Sequence, residues 1–164
     1  MVITVAELIE KIKFDVIYTS EDALKKEITT SDVTRPGLEM TGYLEYYTPE
    51  RIQLFGMKEW SYIQNVIGDN RYDLLKNVVT DATPAIIVAR GLPIPDEMIS
   101  VAKKRDTVLL QSTEPTSRLN GAITAFLDEK LSTRTTVHGV LMDIFGVGVL
   151  IQWSSGIGKS ETGL

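Results

Sequence analysis

An unbroken apolar run, Pro84-Ala-Ile-Ile-Val-Ala89, constrains the fold of this chain more than any other segment. Such a run is typical of a β-strand that is buried on both faces, as the central strands of parallel sheets are. A helical pattern precedes it from Asn70, and another follows it from Pro95 to the basic residues that end at Arg105. Strands that alternate with helices predict an α/β domain whose mixed or parallel sheet has at least two parallel strands and flanking helices.

Shorter patterns predict the remaining elements of this domain. Thr4-Val-Ala-Glu7 forms a capping box, so we expect a helix to begin there. Asn70 and Asp73 fit an amino-terminal cap for the helix that precedes the apolar run. The turn-rich segment 29–40 has no assignment from its pattern. The other patterns predict strands at 16–18, 51–55 and 107–110, and helices at 58–67 and 118–131.

The polar segment Ser132-Thr-Arg-Thr-Thr136 predicts a boundary between two domains. Beyond it, residues 137–144 and 147–152 have the pattern of two strands in a β-hairpin. His138 would then lie inside the first strand, where a lone histidine is usually a core residue with satisfied hydrogen bonds.

A phosphate-binding loop follows the second predicted strand, at residues 153–160. Gly156 and Gly158 allow backbone N–H groups to approach phosphate oxygens. Lys159 adds a positive charge, and Ser160 offers a hydroxyl to Mg²⁺. The predicted phosphate-contacting residues are Trp153, Ser154, Ser155, Gly156, Ile157, Gly158, Lys159 and Ser160.

Trp153 departs from this motif, because it occupies the position of the first glycine. A bulky residue costs roughly 1–3 kcal/mol where a turn needs a backbone angle that only glycine adopts easily. The alternative interpretation is therefore a loop that descends from a phosphate binder and has lost affinity.

The composition excludes several classes of function. There are 17 basic and 22 acidic residues, and a net charge of −5 disfavours a broad attraction to nucleic acid. The absence of cysteine excludes disulfides and thiolate chemistry, and a single histidine excludes a histidine-rich metal cluster within this chain. We find neither a signal peptide nor an apolar stretch of about 20 residues, so we expect a cytoplasmic protein with no membrane partner.

Several separated motifs resemble the bacterial HPr kinase/phosphorylase family. Two of them lie in the carboxy-terminal part of the chain, at residues 138–151 and 155–161. The others lie upstream, at residues 31–32, 35–43, 50–54, 83–91 and 115–116. The resemblance covers essentially the whole chain.

This resemblance implies a bifunctional enzyme that uses Mg²⁺. It would transfer phosphate from ATP or pyrophosphate to a serine of the phosphocarrier protein HPr, and remove that phosphate by phosphorolysis with inorganic phosphate. Lys159 would contact phosphate, Ser160 would bind Mg²⁺, and His138 matches a histidine of the family's active site. The family resemblance also implies a hexamer, with residues 1–132 as an amino-terminal domain like the first domain of Mur ligases. Residues 133–164 would be the truncated start of the P-loop kinase domain.

The family's phosphate loop usually begins Gly-Asp-Ser-Gly, where this chain has Trp153-Ser-Ser-Gly156. The resemblance places the general-base aspartate and the HPr-docking segments beyond Leu164, so we expect little turnover from these residues alone. Two alternatives stay open. The first is a non-catalytic regulatory or assembly domain with a degenerate loop, and the second, weaker one is an unrelated P-loop nucleotide hydrolase.

Overall fold

The computed structural model describes the backbone of residues 2–139 and the side chains of residues 2–66 and 68–132. Helices and strands are interspersed along this part of the chain. In order, they are β1 (Ile3–Thr4), α1 (Val5–Lys11), β2 (Asp15–Tyr18), α2 (Glu21–Leu24), β3 (Glu27–Ile28), β4 (Val33–Thr34), β5 (Ile52–Phe55), α3 (Met57–Tyr62), α4 (Arg71–Val78), β6 (Ala85–Val88), α5 (Asp96–Arg105), β7 (Val108–Gln111) and α6 (Thr116–Gly139). Single 3₁₀ turns lie at Glu39–Thr41 and Gly68–Asn70, and a π-helical turn lies at Ile63–Ile67.

A five-stranded sheet forms the centre of the fold, with the strand order β2-β7-β6-β5-β4. The strands from β4 to β7 are parallel and lie in sequence order, whereas β2 pairs antiparallel with β7 at one edge. In the middle of the sheet, Ile86 pairs with Gln53 on one side and with Leu109 on the other. The prediction of an α/β fold with a mixed, mostly parallel sheet is confirmed.

Strand β6 shows why the sheet is covered on both faces. Ala85 and Ile87 belong to a core that includes residues of α1 and α6. Ile86 and Val88 alternate to the opposite face and belong to a second core that includes residues of α4 and α5. All four side chains are at most 1% exposed, as expected for an apolar strand between two layers of helices.

The capping box predicted at the start of α1 is confirmed. The Glu7 N–H donates to Thr4 Oγ1 at 3.3 Å, and the Thr4 N–H donates to Glu7 Oε1 at 2.8 Å. Asn70 takes the predicted cap position of α4, but it makes no side-chain hydrogen bond to the first turn. Its backbone angles, φ −89° and ψ 11°, are not the extended ones from which a cap side chain usually reaches the first turn.

Helix α6 corrects the predictions for the end of the described chain. It continues through Gly139, so the polar segment 132–136 is helical, and the strand predicted from Val137 is wrong for residues 137–139. His138 accordingly lies on a helix. Serine and threonine lower helix propensity by only a few tenths of a kcal/mol each, which does not stop a helix that is already formed. The rest of the predicted hairpin lies outside the described residues.

Residues 2–131 form one compact unit, and the second unit contains residues 132–164. Of that second unit the structure describes the helical backbone up to Gly139 and the side chain of Ser132. The division at residue 132 into two functional domains stays a prediction.

Candidate functional site

The residues predicted for catalysis and phosphate binding fall mostly beyond the described part of the chain. The phosphate loop at 153–160, with Lys159 and Ser160, lies outside it. The backbone of His138 occupies the last turn of α6, and its side chain is not among those described. Their predicted roles therefore stay predictions.

Within the described residues, polar groups gather where the parallel strands end. Arg35 follows β4, Gly56 follows β5 and Arg90 follows two residues after β6. The Ala89 N–H donates to the Phe55 carbonyl at 3.0 Å, which joins the ends of β5 and β6. We call this set of loops the carboxyl edge, and in open α/β sheets it is the usual place for a ligand.

Glu59 organises one half of the carboxyl edge. Its Oε1 accepts the Gly56 N–H at 2.7 Å, as an N3 glutamate does in a capping box. The same oxygen accepts from Arg35 Nε at 3.0 Å, and Arg35 Nη2 lies 2.9 Å from it. The Glu59 side chain is 7% exposed and that of Arg35 is 37% exposed. A buried carboxylate thus holds a guanidinium that still reaches solvent.

Thr116, the first residue of α6, packs directly against Gly56. A Cβ atom on Gly56 would lie 2.6 Å from Thr116 Oγ1 and 2.8 Å from Arg35 Nη2. Contacts this short do not occur at real Cβ atoms. The Thr116 and Arg35 side chains therefore approach the backbone of residue 56 this closely only because that residue is glycine. The loop after β4, the loop after β5 and the start of α6 therefore meet at one point.

Arg90 and Gly91 join the loop after β6 to the loop after β7. Both adopt left-handed backbone angles, with φ values of 62° and 63°. The Arg90 N–H donates to the Glu114 carbonyl at 2.9 Å, and the Gly91 N–H donates to the Ser112 carbonyl at 2.8 Å. The Arg90 side chain is exposed. A non-glycine residue in this conformation carries strain that the two cross-loop hydrogen bonds offset.

A groove of about 200 Å³ lies beside the loop after β7. It is lined by Lys13, Phe14, Asp15, Gln111, Ser112, Thr113 and Glu114. Its charged groups have both signs, so its lining does not favour a ligand of one charge.

The half-buried Lys26 connects segments at the opposite, amino-terminal edge of the sheet. Lys26 Nζ donates to Thr107 Oγ1 at 2.9 Å and to the carbonyls of Thr83 and Arg105 at 3.3 Å each. Burial lowers the pKa of the Lys26 ammonium, and the nearby Asp106 opposes this shift. Because the partners of the ammonium lie at the end of α5 and in the loops that lead into β6 and β7, we interpret this group as structural.

Asp106 completes this edge. Its Oδ1 accepts from Ser20 Oγ at 2.6 Å and from Tyr18 Oη at 2.8 Å, and these hydrogen bonds lower the pKa of its carboxyl group. The hydrogen bond to Asp106 in turn raises the pKa of Tyr18. Both bonds connect residues more than 80 positions apart, which fixes the antiparallel edge strand against α5.

A second tyrosine, Tyr47, has its hydroxyl buried without a hydrogen-bond partner among the described residues. Burial is the main cause that raises its pKa well above the ordinary value. Oε1 of Gln53 is also buried and unpartnered, although its amide nitrogen donates to the Arg51 carbonyl at 2.9 Å.

The described part of the chain contains no group of three or more histidine, cysteine or acidic residues placed to hold a metal ion. No helix within it is long and apolar enough to cross a membrane.

The sequence patterns did not identify the carboxyl edge as a candidate site. Its residues come from positions 35, 56, 59, 90 and 116, and no short motif joins them. The one local signal is the spacing between Gly56 and Glu59, which is that of a helix start with an N3 glutamate.

Comparisons with known proteins give a consistent result. A family profile described as HPr Serine kinase N terminus matches residues 3–127, and one described as HPr Serine kinase C-terminal domain matches residues 129–164. The chain is 70% identical over all 164 residues to an HPr kinase/phosphorylase of Lactococcus lactis subsp. lactis (strain IL1403). It is 61% identical over the same length to one of Streptococcus equinus. The chain spans about half, 53%, of the length of each of these relatives.

Proposed function

Because the chain belongs to the HPr serine kinase family, we propose that it acts as part of an HPr kinase/phosphorylase. Such an enzyme phosphorylates a serine of HPr with ATP or pyrophosphate, removes that phosphate by phosphorolysis with inorganic phosphate, and controls carbon-source use. The observation that supports this is the pair of family profiles, which match consecutive segments at 3–127 and 129–164.

The phosphate loop supplies the chemistry in this proposal. Phosphoryl transfer depends chiefly on positioning and on neutralising charge. Backbone N–H groups near Gly156 and Gly158 hold the phosphates, Lys159 neutralises their charge, and His138 is an additional active-site group. Mg²⁺, when bound, would neutralise phosphate charge, and the Ser160 hydroxyl would be an oxygen ligand of the kind it prefers.

The remaining family properties belong to the same proposal. Residues 1–132 form the amino-terminal domain, and residues 133–164 begin the kinase domain. The assembly is a cytoplasmic hexamer that acts on HPr and does not bind nucleic acid. Since the chain spans 53% of its relatives' length, we place the general base and the HPr-docking segments outside these residues.

Phosphorylation of HPr tests this proposal directly. The full-length protein, incubated with HPr, ATP and Mg²⁺, is expected to phosphorylate one serine, which a phosphate-affinity gel resolves. Lys159→Ala is expected to lower kcat/KM about 10²–10³-fold, the usual effect of removing one group that stabilises transition-state charge. Lys104→Ala, which removes an exposed lysine of α5, is the matched control. Full activity of Lys159→Ala would contradict the assignment of the loop.

A second candidate is a non-catalytic regulatory or assembly domain. The compact unit formed by residues 2–131, with apolar cores on both faces of its sheet, favours it. The full-length assay separates the two candidates. HPr phosphorylation that depends on Lys159 requires a catalytic phosphate loop, whereas an assembly domain with a degenerate loop would give no such dependence.

A further inference from the structure

The segment that leads from the 3₁₀ turn at Glu39–Thr41 to β5 lies on the surface of the domain. It is anchored at both ends, because Met40 and Ile52 are buried, whereas every residue from 41 to 46 is exposed. We call residues 43–50 of this segment the strap. Its attachments to the domain decide whether it stays in place.

Few hydrogen bonds attach the strap to the domain. The Tyr47 N–H donates to the Leu44 carbonyl at 3.0 Å, which is a bond within the strap. Among the described residues, no backbone hydrogen bond joins the strap to a helix or strand. Two side-chain hydrogen bonds reach Thr48. Its carbonyl accepts from Gln53 Nε2 at 3.4 Å, and its hydroxyl lies 3.2 Å from Thr34 Oγ1.

Two buried polar atoms lie beneath or within the strap without a partner. The Tyr47 hydroxyl and Gln53 Oε1 make no hydrogen bond with any described residue, and Thr83 lies near Tyr47 without the geometry of one. A buried polar group that has exchanged water for no partner destabilises the conformation that buries it. Lifting the strap lets water bond to these groups, so this cost falls on the closed conformation.

Backbone strain also falls on the closed conformation. Tyr46 adopts a left-handed angle, φ 61°, which is strained for an aromatic residue. Its side chain is 90% exposed and therefore gains little packing that would offset the strain. Gly42, just before the strap, has φ 98°. Glycine adopts left-handed and other angles with similar ease, so this residue is suited to act as a hinge.

The strap buries little apolar surface in return. Tyr43 and Leu44 are 55% and 42% exposed. Tyr47 is the strap residue that packs against an apolar core in the described part of the chain. A segment with few buried apolar contacts and few hydrogen bonds opens at a lower free energy than the domain core does.

We propose that the strap opens about Gly42 while the rest of residues 2–131 stays folded, and that opening brings Tyr47 to the surface beside Tyr43 and Tyr46. The open strap then presents three tyrosines within residues 43–47. The domain thus contains a conformational device that exposes or covers an aromatic side chain. The strap shares no residue with the phosphate loop at 153–160, so this proposal does not depend on the proposed function.

Hydrogen exchange of the ¹⁵N-labelled 164-residue chain, followed by NMR, tests the proposal. The reporter is the side-chain NH₂ of Gln53, which is fully buried and donates to the strap. Its protection factor is expected to be lower than those of the β6 amides by about tenfold or more, and to be insensitive to low urea concentrations, because a local opening exposes little surface. If the Gln53 NH₂ group shares the protection and the urea dependence of β6, its exchange requires global unfolding and the proposal is overturned.

A pair of tyrosine variants tests the unpartnered hydroxyl. Tyr47→Phe keeps the ring and removes the hydroxyl, so it is expected to slow exchange of the Gln53 NH₂ group about tenfold. Tyr43→Phe removes an exposed hydroxyl from the same strap and is expected to leave that rate unchanged. The dispersion of each variant's spectrum shows whether the variant is folded. Exchange in Tyr47→Phe that is no slower than in Tyr43→Phe would overturn the proposal.

A hinge variant is expected to act in the opposite direction. Gly42→Ala places a Cβ atom at a left-handed angle, which disfavours the closed strap. Nothing lies within 4 Å of that Cβ position, so the effect comes from the backbone angle and not from a clash. Exchange of the Gln53 NH₂ group is expected to quicken roughly fivefold. An unchanged rate would contradict the assignment of Gly42 as the hinge.

Discussion

Gly56 determines how closely the loops of the carboxyl edge approach one another. Its φ of −104° is accessible to any residue, so the requirement for glycine comes from space and not from backbone angle. The neighbouring Thr116 and Arg35 atoms would lie within 2.9 Å of a Cβ atom, and Arg35 is held in place by Glu59. A methyl group therefore forces the start of α6 or the arginine to move.

We expect Gly56→Ala to lower the free energy of unfolding by about 1–3 kcal/mol, the usual cost of overpacking. Urea denaturation measures this change. Gly121→Ala is the control, because Gly121 lies in α6 with nothing within 4 Å of its Cβ position. That variant is expected to gain about 0.5–1 kcal/mol from higher helix propensity. Equal stability of the two variants would contradict the close approach.

Asp106 makes the stability of the amino-terminal edge depend on pH. Because hydrogen bonds from Ser20 and Tyr18 lower its pKa in the folded state, the carboxylate stabilises the fold above its unfolded pKa of about 3.9. That contribution is lost as the pH falls through the lower, folded pKa.

We expect Asp106→Asn to melt at a lower temperature than the parent chain at pH 6, and the difference to narrow as the pH falls below about 4. Asparagine tolerates the left-handed angle that residue 106 adopts, with φ 49°, so the backbone is preserved. Calorimetry over this pH range measures the difference. Tyr18→Phe, which removes one donor, is expected to show a smaller pH effect. A difference that stays constant from pH 6 to pH 3 would refute this account.

At the scale of elements, α1 depends on its first residues. With only seven residues, Val5–Lys11, it is too short to be stable by itself. Its capping box and the burial of Val5 and Leu8 hold it in place.

Loss of the Thr4 hydroxyl in Thr4→Ala is expected to cost about 0.5–2 kcal/mol of unfolding free energy, since the Glu7 N–H loses its acceptor. Thr4→Ser retains an oxygen in the same position and is expected to stay close to the parent. Thermal melting followed by circular dichroism compares the two variants. If alanine and serine prove equally stable, the cap does not contribute.

At the scale of the whole molecule, residues 2–131 combine two apolar cores in one compact unit. The buried core residues of this unit extend from Ile3 in β1 to Leu127 in α6, and Leu131 packs against them. Leu131 is the last residue packed against either core within the part of the chain whose side chains are described, which ends at residue 132.

A chain that ends at residue 132 is therefore expected to unfold cooperatively, with a melting temperature within a few degrees of that of the 164-residue chain. Differential scanning calorimetry measures both, and light scattering compares their oligomeric states. Loss of a cooperative transition on truncation would show that residues 133–164 are needed for folding.

The sequence alone determined the features that depend on contiguous residues. The strands near residues 85–88 and 108–111 and most of the helices were predicted, because apolar periodicity and capping residues act over a few positions. The family was identified for the same reason, since its motifs are short continuous segments, and the profiles confirm it. Strand β4 was missed, because two residues in a turn-rich segment carry no periodicity.

Only the tertiary structure decided how distant segments meet. It set the order of the strands, the antiparallel pairing of β2 with β7, and the contact among Arg35, Gly56 and Thr116. The residues that meet in these contacts are between about 20 and 95 positions apart in the sequence. The structure also shows that α6 continues through the polar residues after Leu131, where local composition predicted an end. Contacts between distant residues depend on the packing of the whole domain, and a local sequence pattern does not indicate which distant residue a given side chain will contact.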